Sequence, residues 1–497
     1  MKTLFLLATS LLTTIVFAQT TTLKITESPE FKDKKKALSV LAIHTNKNNK
    51  TAVLRSSKNS FIFNIFNQNL SKIHSQVIEK TKKENYINHV AHNNIMSFIT
   101  VLTPKKKERI VYCHTLNLET KSYKKFKLFE TTVEKNQPLF SGSNKRENNV
   151  AISPNGKYLA VVIDNIKKST NAHKVHVYNT SNFNLEYTKD YQNHTDKYYQ
   201  VNDLVIDNQA KVYILGKLFK SGKKEKKGGD ANYNFILTKV DNTLHKDLKI
   251  SLENDLHIQS LNINNTGDNL KLLGFYSTTK IGRIKGGCSF IINPAKMTLL
   301  KHKTTELPKQ VYQDLYGQRQ SEKKKGKELK SFYVDYVLLD SKGNTYILAE
   351  EFYTTTVYVN TGINGAASYV QTIYHYDDIL IMKFNHKGAL DWSRCIFKRA
   401  STPSYNAFVK NDELHVMLNS GKNLTEKNDG RTRISKGWFE SSALYDFKYD
   451  NNGQVNYNKI QNNKGKTYYL PYYGTYENNN FIMINSGKSK TQFMKLE

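Results

Sequence analysis

Asp340, Gly343 and Asn344 fall in the loop Asp-Ser-Lys-Gly-Asn of VLLDSKGNTYILAEEF (337–352). A carboxylate followed by glycine and a carboxamide is the vocabulary of a cation or phosphate loop. A calcium loop, however, needs several carboxylates at alternating positions, and Asp340–Asn344 holds one. His89 and His92 stand three apart, which on a strand sends them to opposite faces. There is no His-Glu-x-x-His, no Gly-x-Ser-x-Gly and no phosphate-binding glycine loop. Cys113, Cys288 and Cys395 are the only cysteines, without the paired spacing of a zinc site and too few for a disulfide framework. They read as buried free thiols on strands, with one disulfide in an oxidising compartment as the alternative. Local motifs thus predict no metal, no cofactor and no catalytic residue. Carboxylates brought together from distant segments would not show in one sequence.

Binding chemistry is better represented. KLFKSGKKEKKGGDANYN (217–234) holds Lys220, Lys223, Lys224, Lys226 and Lys227, and the link 306–330 holds Lys323, Lys324, Lys325 and Lys327. The link 421–440 adds Arg431, Arg433, Lys436 and Trp438. Arranged on one face they would form a positive rim that attracts anions over a Debye length of roughly 8 Å. Against this, Lys-Gly runs also keep long loops solvated. The segment 352–378 carries Tyr353, Tyr358, Tyr369, Tyr374 and Tyr376 and closes on Asp377-Asp378. Exposed tyrosines give contact area with little entropy loss, so this segment is the first choice for a ligand-facing feature.

The formal net charge is +31. Nine of the basic residues are Arg and the other 65 are Lys, which argues against nucleic acid, whose phosphate and base forks favour Arg. The expected partner is a protein or an anionic envelope polymer. Residues 1–18 resemble a signal peptide: Lys2, an apolar run from Leu4 to Val16, and the small-residue site ending at Ala18. That run is too short to span a bilayer. An exported monomer is expected, in the periplasm rather than outside the cell.

The elements that must position these residues repeat. AISPNGKYLAVVID (151–164), DLVIDNQAKVYILGKLF (203–219) and SLNINNTGDNLKLLGFYS (260–277) share the form of the Asp340 segment: strand, Asn/Asp/Gly turn, strand. AFVKNDELHVMLNS (407–420) repeats it too, and weaker copies lie at 38–54, 90–103 and 472–486. A second hairpin follows seven of them, as in FILTKVDNTLHKDLKISL (235–252) and ILIMKFNHKGALDWSRCIF (379–397). The unit is four strands, a to d, recurring every 50 to 75 residues. Asn and Asp bond local backbone and tolerate positive φ, so the Asp340 loop is a hairpin corner. Repeated four-stranded sheets over 19–497 predict one all-β domain, a β-propeller. The eighth unit lacks a fourth strand, and Thr21–Thr26 can supply it, which removes both edges. Eight blades closed by the two termini are expected, with seven as the alternative.

SPNGKYLAVV (153–162) resembles the core of TolB-type and WD-like bacterial propellers. LLDSKGNTYILAEEF and ILIMKFNHKGALDW are similar to the two halves of a bacterial propeller repeat. These resemblances imply a fold and no substrate. In a propeller the b–c and d–a connections emerge on one face, and here they are the long ones. Loops on a rigid scaffold concentrate binding residues. The sequence therefore points to a non-catalytic binding propeller, with an extracellular polysaccharide lyase or hydrolase sited at the central channel as the alternative.

Overall fold

The computed structural model describes residues 23–31, 39–134, 137–141, 148–164, 171–193, 197–266, 268–361, 367–429, 431–434, 442–463, 469–485 and 490–497. The signal segment expected at 1–18 lies outside the described residues. Among those described, eight four-stranded antiparallel sheets account for nearly all the strands. Sheet one is Ser39–Thr45, Thr51–Ser56, Ser60–Phe66 and Lys72–Glu79. Sheet two is Glu84–His92, Ile95–Leu102, Glu108–Asn117 and Tyr123–Thr132. Sheet three is Val150–Ile152, Tyr158–Ile163, Asn171–Asn179 and Leu185–Asn193. Sheet four is Tyr198–Ile206, Val212–Phe219, Tyr233–Val240 and His245–Ile250. Sheet five is His257–Thr266, Asn269–Ser277, Gly286–Asn293 and Thr298–Glu306. Sheet six is Phe332–Leu339, Thr345–Thr361, Ala367–Phe384 and Leu390–Ile396. Sheet seven is Tyr405–Lys410, Glu413–Gly421, Ser442–Tyr449 and Val455–Asn462. Sheet eight takes Tyr469–Glu477, Asn480–Asn485 and Phe493–Leu496 from the C-terminus and Ile25–Glu27 from the N-terminus. The order in each sheet is a, b, c, d, and this is a β-propeller.

The hairpin corners have a common cause. Oδ1 of Asn46, Asn67, Asp207, Asp340, Asn385 or Asp450 accepts the backbone N–H groups two and four residues on. The third residue on then has positive φ: Asn49, Leu70, Ala210, Gly343, Gly388 and Gly453. Asp340 is engaged in this way, and its Oδ2 accepts Asn344 Nδ2 at 2.7 Å. The loop is a turn, as its chemistry predicts.

Packing joins the sheets in sequence. Eight clusters of buried apolar side chains each draw on two neighbouring sheets. Phe61 and Phe63 of sheet one meet Phe98 of sheet two. Ile482 and Phe493 of sheet eight meet Ile43, Val53 and Phe66 of sheet one. A sheet that is apolar on both faces buries both only between neighbours. Cys113, Cys288 and Cys395 are free and buried in strands, and burial pushes each thiol up, away from reactivity.

The link 306–330, read from its lysines as a solvated loop, contains the α-helix Lys309–Lys324. Val311, Tyr312 and Leu315 put an apolar stripe at helical spacing against sheets five and six, which outweighs the lysines. Gly317, at φ 78°, breaks the helix where an added Cβ would lie 2.7 Å from Asp429 Cβ. Among the described residues no helix is long and apolar enough to cross a membrane.

Candidate functional site

The b–c and d–a connections emerge at one end of the sheets, and the a strands carry a recurrent irregularity near that end. The ladder register skips one residue in each of five a strands: Leu41, Ile87, Asn202, Gln259 and Asp335. A bulge re-aims side chains. Asn202 donates from Nδ2 to the Leu261 carbonyl at 2.7 Å, and Asp203 accepts the Ile263 amide at 3.0 Å. Sheet four is thus stitched to the a strand of sheet five.

Beside these bulges lies a cleft of about 330 Å³ between sheets four, five and six. Gln200, Asn202, Gln259 and Asn262 give it carboxamides, Phe219, Tyr233, Phe332 and Tyr333 give it rings, and Lys217, Lys226 and Arg283 give it cations. Asp230 is the carboxylate among its lining residues. Tyr233 is fixed by donating its hydroxyl to the Gln259 carbonyl at 2.8 Å, with Lys217 Nζ 5.3 Å from its ring centroid.

A second polar cluster sits at the same end of sheet six. There the ladder between strands b and c skips Glu351 on one side and Asp377 and Asp378 on the other. Arg399 bonds Asp378 and lies 3.6 Å from Asp377, while Tyr353 donates to Asp377 at 2.9 Å. Lys398 and Glu350 form a buried pair at 2.7 Å. Burial, reinforced by Asp378 and only partly offset by Arg399, holds Glu351 up to about 7. Burial likewise holds Asp378 up to about 6 against the pull of Arg399. Among the described residues no group of three or more His, Cys, Asp or Glu side chains is placed to hold a metal ion.

Glu84, Thr100 and His114 form a carboxylate–hydroxyl–imidazole set, with contacts of 2.8 to 3.2 Å. All three are buried inside sheet two, and Lys125 completes the pairing of Glu84. Buried and mutually paired, they tie the strands of the sheet together.

The residues predicted from sequence are scattered. Lys226 lines the cleft. Lys223 instead donates to Gln137 Oε1 at 3.0 Å and lies 5.3 Å from the Tyr198 ring centroid, while Lys220 and Lys224 are exposed. The Lys227 side chain lies outside the described residues. Strands b and c of sheet six do run on as a two-stranded ribbon, pairing through Thr361 and Ala367. Tyr353 stacks on His375 at 4.4 Å and Tyr376 packs on Phe352 at 4.8 Å, so both brace the ribbon. Tyr374 is half exposed. The side chains of Tyr358 and Tyr369 lie outside the described residues. Arg431 bonds Asp429 and the Leu315 carbonyl and covers Phe397, away from the cleft. The Arg433 side chain and Trp438 lie outside the described residues. The bulged Asn202 and Gln259, the strand residue Asn262, and Arg283 were missed. The Q-x-N pair at 200–202 and the run 259–264 are the only signal for the three carboxamides, a register slip decides which way they point, and Arg283 has no such signal.

No protein-family model and no curated protein matches the chain. Solved structures do match. The β-propeller domain of the Trilobed protease from Pyrococcus furiosus matches at 10% identity and a TM-score of 0.37, over 83% of this chain and 95% of that one. Prolyl oligopeptidase B from Galerina marginata matches at 8% identity and a TM-score of 0.42, over 91% of this chain and 56% of that one. This chain therefore spans about half the length of that enzyme. Hydrazine synthase of Kuenenia stuttgartiensis matches at 8% identity and a TM-score of 0.33, over 69% and 74%. The propeller assignment rests on the strand pairing itself.

Proposed function

We propose that this chain is an exported, non-catalytic binding propeller of the cell envelope. Its eight sheets act as the blades of one closed ring, and it holds an anionic partner on the face where the long connections emerge. The observation that carries the reading is the cleft between sheets four, five and six. Lys217, Lys226 and Arg283 converge there against Asp230, on a scaffold fixed by the paired bulges of its inner strands. Three cations against one carboxylate leave the cleft net positive, and a net positive cleft focuses field and concentrates anions. The test is titration with heparin of the wild type, a Lys226→Gln/Arg283→Gln variant and a control, Lys301→Gln/Lys303→Gln, on an outer strand. Loss of affinity in the cleft variant beyond the control supports the reading. Equal losses would show only the diffuse attraction of a chain of net charge +31.

A second reading, a polysaccharide-active enzyme, is favoured by the carboxyl groups at Glu351 and Asp378, which are held up toward neutrality at the same face. Release of reducing ends from acidic polysaccharide, abolished in Glu351→Gln, would establish it.

A further inference from the structure

The cleft asks for more than negative charge. Asn262 is 3% exposed, and its Oδ1 has no donor within the protein. Ser260, two residues earlier and so on the same strand face, has a buried Oγ with no partner. Arg283 Nε is also buried and unpartnered. The three residues that carry these atoms line one cavity, against the rule that buried polar groups are hydrogen-bonded. An amide oxygen only accepts and a guanidinium nitrogen only donates. A ligand that pairs these atoms brings at least one O–H or N–H donor together with an acceptor, best an anionic one. Sulfate brings no donor.

We infer that the cleft is a sugar-acid subsite, taking a uronate residue of an anionic polysaccharide with its carboxylate toward Arg283 and its hydroxyls toward Asn262 and Ser260. This inference rests on the anion-binding reading above and narrows it. Hydroxyls both donate and accept, which suits the amide oxygen and the serine together. The C–H face of a pyranose fits against a ring held in place, and Tyr233 is pinned through its hydroxyl. An acidic peptide also offers carboxylates and N–H donors, but brings an equal number of backbone carbonyls that need donors of their own. The cleft, at about 330 Å³, is of small-molecule size, within the range of roughly 300–1,000 Å³.

The test is calorimetric titration of the full mature chain with trigalacturonate, its methyl ester, hexaglutamate and polyphosphate. Trigalacturonate is expected to bind, and its ester to bind about tenfold more weakly or worse, the loss of one charge-assisted hydrogen bond. Asn262→Leu and Arg283→Gln are each expected to weaken trigalacturonate by a similar factor with the thermal midpoint kept. Should either variant fail to fold, the comparison of ligands on the wild type decides alone. Equal binding of the ester overturns the inference. Binding of polyphosphate or hexaglutamate without trigalacturonate also overturns it and leaves the anion-binding reading standing. Binding of none of the three anions overturns both.

Discussion

Ile25 lies directly opposite Leu496 in an antiparallel pair, so the two ends of the chain share one sheet. Lys24 N–H reaches the Glu497 carbonyl at 2.9 Å and Ser28 N–H the Phe493 carbonyl at 2.9 Å. Leu23 is buried with Met494 and Leu496. This pairing leaves sheet eight with no unpaired inner strand and couples it to both neighbours.

Phe493 is the side chain that makes the seam structural. It stacks on Phe31 and meets Phe66 of sheet one edge-on at 4.8 Å. Phe493→Ala is expected to cost about 3–5 kcal/mol through lost burial and a residual cavity. The thermal midpoint should fall clearly, whereas Val370→Ala, 58% exposed on the ribbon, leaves it in place. Equal midpoints for both variants would mean that this contact does not hold sheet eight to sheet one.

Two turn glycines separate backbone strain from packing. Gly343 and Gly453 occupy the same turn position at φ 76° and 79°. A Cβ at Gly343 meets only His386 Cβ at 3.8 Å, so Gly343→Ala is expected to cost the left-handed conformation alone, about 1–2 kcal/mol. At Gly453 the Cβ falls 2.8 Å from the Trp392 ring, which is anchored by its N–H to the Asn451 carbonyl. Gly453→Ala should therefore destabilise more, and urea midpoints of the pair measure the difference.

The repeat and its corners were legible because each is written locally, and the shared last sheet was legible by counting, since the eighth unit holds three strands and the N-terminal segment one. An Asx residue whose side chain accepts the backbone two and four residues on sets a turn, most often with glycine at the third, and apolar runs set strands. The ribbon of sheet six was legible for the same reason, since Thr345–Thr361 and Ala367–Phe384 are continuous strand vocabulary. The cleft was not. Asn202 and Gln259 face it because one residue is added to a strand, and the effect of a bulge depends on the partner strand. The lysine runs drew attention through number, yet Lys223 caps Gln137 and the helix Lys309–Lys324 turns its apolar side inward.

His173 sets an acid limit. It is 2% exposed, neither ring nitrogen has a partner, and it is stacked among Tyr191, Tyr199 and His245. Burial, helped by His245, depresses it to about 3. A base depressed in the folded state adds stability that is complete above its unfolded value near 6.5 and is lost as pH falls toward about 3. His173→Phe keeps the stack without the proton. Its thermal midpoint should decline less than that of the wild type between pH 6 and pH 4, and parallel declines would exclude this residue as the cause.

Glu351 gives the opposite sign. Its carboxyl is held up to about 7, first by burial and then by Asp378, against an ordinary value of 4.5. The native chain binds the extra proton, so this contribution to stability is fully present below about 4.5 and is lost as pH rises through about 7. Glu351→Gln stays neutral throughout. The variant and the wild type should melt alike near pH 4.5, and the variant should melt higher at pH 8, where the wild type must accommodate charged Glu351 beside Asp377 and Asp378 with one guanidinium, Arg399, between them. The curves of midpoint against pH decide it. A variant that melts lower than the wild type at every pH would show that the Glu351 carboxylate is held as an ion by Arg399 and does not retain its proton.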